Sequence, residues 1–189
     1  MSKDLDKFFR LLMKNIGPNR YYDRFIWGNL GNPAYINKYY PKILISIIKN
    51  TQETTQLIVT RDTNGCSESN LYNDWQEKTI QTITETNFQP PLPIYEIKSS
   101  KEIKIINKTN DIILVSFLLT PRNLEYLIAD AYIQEKGLRR PTTNYNDHQL
   151  LDEIKTQLNK DKNQVIREAV DLNLNPSWIQ DLKNLMERD

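Results

Sequence analysis

The chain is short of the residues on which most reaction chemistry depends. Its 189 residues include one histidine, His148, and one cysteine, Cys66. A single histidine excludes histidine-based metal clusters, paired-histidine mechanisms and zinc-protease motifs, and a single cysteine excludes cysteine–histidine zinc sites and any intrachain disulfide. His148 is flanked by Asn146, Asp147 and Gln149, the composition of a solvated first helical turn, and reads as a surface histidine. Cys66 follows the Gly65 turn without a basic neighbour to lower its pKa, and reads as a passive thiol in a reducing interior. Glycine is scarce as well, with five in the chain. Gly28 and Gly31 lie in a loop that has neither the Lys-Ser/Thr of a triphosphate site nor a preceding strand, so no nucleotide cradle is expected.

Long apolar runs are also missing. The longest, residues 43–48, falls far below the ~20 residues of a membrane span and reads as a buried strand or helix. The N-terminus carries Asp4 and Asp6 and no apolar core of signal-peptide length. The 25 basic and 24 acidic side chains nearly cancel, so no global field draws the chain to nucleic acid or to an anionic membrane. These shortages predict a soluble intracellular protein, in the cytoplasm of the producing cell or in a virion. No cofactor, no metal, no catalytic residue and no membrane partner are expected. Enzymatic activity is left open, with the balance of residues against it.

What the chain does have is concentrated in residues 16–41, which hold seven of its 18 aromatic residues and three of its five glycines. Arg20, Tyr21, Tyr22, Arg24, Phe25, Trp27 and Tyr39 are the candidate binding residues, because stiff amphipathic side chains of this kind are favoured where a protein meets a partner. The same residues can stack on bases and pair phosphates, or fold back over a first helix. Charge is uneven along the chain. Residues 1–50 hold nine basic and three acidic side chains, a net of +6, and residues 51–100 hold three and seven, a net of −4. Such poles can dock copies head to tail or neutralise each other within one fold. Asn, Ile, Lys and Tyr are abundant while Ala and Gly are few, the bias of an AT-rich genome such as that of a phage, virus, organelle or bacterium.

Hydrophobic periodicity predicts the elements. Leu5, Phe8, Phe9, Leu12, Met13 and Ile16 recur at helical spacing. Asn32-Pro33 opens a second helix that Pro41 kinks or restarts. A strand over 56–60 and a helix over about 69–86 follow, and then the stiff break Gln89-Pro90-Pro91-Leu92-Pro93. Three strands over 94–99, 102–107 and 111–119 suggest an antiparallel meander, with the last, apolar on both faces, in the centre. Thr120-Pro121 is expected to cap a helix that Gly137 closes. Beyond the polar hinge 138–146, three short helices are expected. The fold class is therefore α+β: N-terminal helices, a small mainly antiparallel sheet with helices packed on it, and a C-terminal helical extension. The predicted domains are a core over 1–137 and the extension over 138–189.

Two short segments resemble known families. Pro93-Ile94-Tyr95-Glu96-Ile97-Lys98 resembles the metal-binding half of a PD-(D/E)xK nuclease, in which carboxylates hold magnesium and the lysine orients the attacking water. The aspartate of that family lies on the preceding strand, where this chain has its proline loop. A plain edge strand, with Ile94 and Ile97 on opposite faces, is the competing reading. The segments 150–155 and 163–170 resemble the two helices of a ribbon-helix-helix repressor. The residues before them lack the apolar alternation of its strand, and 147–189 carry a net of −3, from six basic and nine acidic side chains, which repels phosphate. The functional expectation is a non-enzymatic interaction or assembly protein, as in a phage or viral particle, acting through a protein partner or self-association. The alternative is a protein acting on nucleic acid, either a degenerate nuclease or a binding module.

Overall fold

A computed structural model describes residues 33–63, 66–120, 122–141, 147–172, 174 and 176–186. The first predicted helix lies outside them. Among the described residues the fold is mixed α+β, with six α-helices and a four-stranded sheet, as the sequence predicts. The described residues divide into two compact units, one up to Leu119 and the other from Thr120 onward.

The first unit begins with α1 (Pro33–Asn50). Pro41 removes one helical hydrogen bond, yet the helix runs through it. Tyr40, Leu44 and Ile48 recur every fourth residue and are all buried, so one apolar stripe spans the proline and holds both halves on the core. Next come β1 (Thr55–Asp62), α2 (Glu68–Glu85), β2 (Ile94–Ser99), β3 (Glu102–Ile106) and β4 (Ile112–Thr120). The strand order is β1-β4-β3-β2. Strands β2, β3 and β4 form the predicted antiparallel meander, and β1 is added parallel beside β4. The strand that is apolar on both faces is thus interior.

Register fixes which face is covered. Ile103 pairs with Val115 and Ile105 with Ile113, and all four are fully buried. The odd-numbered residues of β3 and β4, continuing through Phe117 and Leu119, therefore form the face on which α1 and α2 pack. At its centre Trp75 stacks on Phe117, with centroids 5.1 Å apart and planes 9° from parallel, while Tyr72 meets Phe117 edge-on.

Polar atoms inside this core satisfy one another. The Trp75 indole N–H donates to the Tyr40 hydroxyl at 3.2 Å, Tyr40 and Thr79 hydroxyls lie 2.7 Å apart, and Thr79 donates to the Trp75 carbonyl at 2.7 Å. Since Thr79 spends its proton on that carbonyl, Tyr40 is the donor between the two hydroxyls. Burial pushes the Tyr40 phenol up to about 12. The β3–β4 hairpin is organised in a similar way by buried Asn107. Its Oδ1 accepts from the Thr109 and Asp111 backbone N–H groups, and its Nδ2 donates to the Thr51 carbonyl. Asn110, at φ 66°, supplies the left-handed residue of that turn.

The second unit holds α3 (Leu124–Lys136), α4 (Asp147–Leu158), α5 (Lys162–Glu168) with a 3-10 turn over Ala169–Asp171, and α6 (Pro176–Met186). The expected Thr120-Pro121 cap is corrected: β4 continues through Thr120, and Asn123 caps α3 by accepting from the Tyr126 N–H at 2.9 Å. Gly137 closes α3 at φ 62° as predicted. Helix α3 packs on α4, and α4 on α5. The Tyr132 hydroxyl, on α3, donates to the Val165 carbonyl of α5 at 3.0 Å, and Leu151, Ile154 and Ile166 are fully buried.

Candidate interaction surface

Of the sequence-predicted binding residues, Arg20, Tyr21, Tyr22, Arg24, Phe25 and Trp27 lie outside the described residues. Tyr39 is described. It sits on α1 with its ring exposed, and the Lys38 and Lys42 ammonium groups lie 5.4 and 6.0 Å from the ring centroid. That places two cations on an aromatic face that α1 turns outward.

The larger exposed apolar surface lies elsewhere, on the proline loop and β2. Every residue of β2 is exposed. Leu92 keeps 63% of its surface, Ile94 67% and Ile97 50%, so these aliphatic side chains contribute little to folding and remain in water. Tyr95 and Ile97 pair with Ile105 and Ile103, and so point to the same face as the buried core. They extend that face past its covered part. Ile94 points to the other face, as the edge-strand reading expects. Apolar side chains therefore flank this edge on both faces. An open groove of about 490 Å³ adjoins the strip, walled by Ile83, Phe88, Leu92, Pro93 and Tyr95.

Edge strands usually carry several protections against pairing with another chain, such as charges, prolines and bulges. On β2 these reduce to Glu96, Lys98 and a register shift between Ile97 and Ser99. Glu96 and Lys98 engage each other, Nζ to Oε1 at 2.6 Å. The Lys98 hydrogen bond, joined by the charges of Lys98 and Lys104, holds the Glu96 carboxyl below its ordinary value. Spacing of two puts both side chains on one face of the strand, as the nuclease resemblance requires. Among the described residues, however, no group of three or more His, Cys, Asp or Glu side chains converges as a metal site would need. Within them the two residues form an ion pair, and no second carboxylate joins Glu96. Cys66 is exposed, and His148 falls in the first turn of α4.

Among the described residues no helix is long and apolar enough to cross a membrane. The class defined by fold and surface is a small α+β protein with an apolar, ion-paired sheet edge. Compared with protein-family models, curated proteins and solved structures, the chain matches none.

Sequence reasoning found β2 and its edge character but missed the exposure of Leu92, Ile94, Tyr95 and Ile97. The available signal was positional: β2 opens the meander after a proline loop, with the next strand on one side only.

Proposed function

We propose that the chain is a non-enzymatic assembly protein that acts through protein–protein contacts, contact between its own copies foremost. The observation that carries this reading is the exposed apolar set Leu92, Ile94, Tyr95 and Ile97 at a sheet edge beside which no further strand lies among the described residues. Leaving such side chains in water is unfavourable by roughly 25 cal/mol for each Å² of apolar surface, which favours covering them with a partner. The opposed charges of residues 1–50 and 51–100 support association in the same direction. The arginine- and aromatic-rich stretch 16–41 is proposed as a further contact. A phage or viral structural component, found in the producing cell's cytoplasm and in the virion, is the setting proposed on composition.

Light scattering on the full chain tests the reading. The expected mass rises reversibly with concentration above the 22.3 kDa of one chain. A single-chain mass up to the highest concentration reached overturns it.

A further inference from the structure

We propose that β2 is the seam of a two-fold dimer, in which two copies pair β2 with β2, antiparallel and centred on Ile97. The four-stranded sheet of each copy then continues into the other. This inference rests on the assembly reading and names its surface and its partner, a second copy of the chain.

The position of β2 allows such a seam. It pairs with β3 on one side, and among the described residues no strand lies on the other. An antiparallel partner there takes up the backbone groups that the edge leaves to water. Apolar contact favours it as well. In a pairing about Ile97, that residue meets its own copy across the axis. That pair lies on the face that already carries the core of the sheet-bearing unit, so the dimer prolongs a buried face.

The charges select the register. Glu96 and Lys98 stand one residue before and one after Ile97, so an antiparallel pairing about Ile97 sets each Glu96 opposite a Lys98, twice by symmetry. Directly opposed unlike charges stabilise a cross-strand pair and like charges destabilise it. Centring the axis on Glu96 or on Lys98 places like charges against each other, and so does a parallel in-register pairing. Lys98, the residue added at the register shift, already holds its ammonium 2.6 Å from the Glu96 carboxylate of its own strand. The seam therefore brings together four charges of alternating sign on one face, with the isoleucine contact on the other.

Charge reversal tests both the seam and the register. Sedimentation equilibrium is measured on the full chain and on E96K, K98E and the double variant E96K/K98E, with circular dichroism to show that each is folded. Both substitutions fall on exposed side chains, so folding should survive. Each single variant sets like charges face to face at two places, and its dimer dissociation constant is expected to rise about tenfold or more. The double variant restores opposite signs, and its dissociation constant should return to within about threefold of the wild type. A wild type that associates together with variants that associate equally well overturns the β2 seam and leaves the assembly reading standing. A double variant as weak as the singles overturns the facing of Glu96 and Lys98. A wild type that is a single chain at every concentration overturns both readings.

Discussion

Replacing Trp75 with alanine is expected to destabilise the sheet-bearing unit by about 3–5 kcal/mol, the largest loss for any single side chain of its core. Two effects combine at this position. Trp75 is 2% exposed and stacks at 5.1 Å on Phe117, so truncation opens a cavity between α2 and the sheet, in an interior that relaxes only in part. Its indole N–H is also the donor to the buried Tyr40 hydroxyl, which is left with an acceptor function unsatisfied. Trp75→Phe separates the two effects. It keeps an aromatic ring against Phe117 and removes only the N–H and part of the volume, so a smaller loss of about 1–3 kcal/mol is expected. Denaturant unfolding followed by far-ultraviolet circular dichroism reads both variants, with the fall in midpoint at constant slope as the measure. An alanine variant within about 1 kcal/mol of wild type contradicts the packing described.

Leu151→Ala is expected to cost the helical C-terminal unit about 2–5 kcal/mol. Leu151 is fully buried on α4, the helix that packs on both α3 and α5. Four short helices bury little surface apiece, so their stability depends on tertiary packing more than on propensity. Helix α5 has seven residues and could not persist alone. Ile154→Val, which removes one methylene from an equally buried position on the same helix, is expected to cost only about 0.5–1.5 kcal/mol. The pair, read by thermal unfolding, gives a graded series. Equal midpoints for wild type and Leu151→Ala contradict the placement of Leu151 at the centre of that unit.

The elements most legible in the sequence are those where pattern and punctuation agree. Residues 112–119 are apolar on both faces, which only an interior strand explains, and β4 lies between β1 and β3. Gly137 after an apolar-periodic stretch gave the end of α3. Legibility fails where two local signals compete. Thr120-Pro121 has the chemistry of a cap, but ladder pairing carried β4 through Thr120 and left the cap to Asn123, three residues on. At Pro41 the sequence left a kink or a restart open, and one helix runs through it, with the stripe of Tyr40, Leu44 and Ile48 holding both halves on the core.

The candidate surface was legible in part. Alternation placed Glu96 and Lys98 together on one face, and their ion pair follows from that. Period alone does not tell a covered strand from an uncovered one. Tyr95 and Ile97 have the same phase as the buried Ile105 and Ile103, and only the sheet order puts them at the edge. The aromatic-rich stretch 16–41 dominates the composition signal, yet the exposed aliphatic side chains of the sheet-bearing unit come from the proline loop and the strand that follows it.

Amide hydrogen exchange of the full chain at low and high concentration tests the central claim most directly, because it reads both association and its location. Amides of Ile94–Ser99 are expected to exchange more slowly as concentration rises, while those of Thr55–Asp62 on the opposite edge keep their rates. Exchange in Ile94–Ser99 that is the same at both concentrations would contradict it.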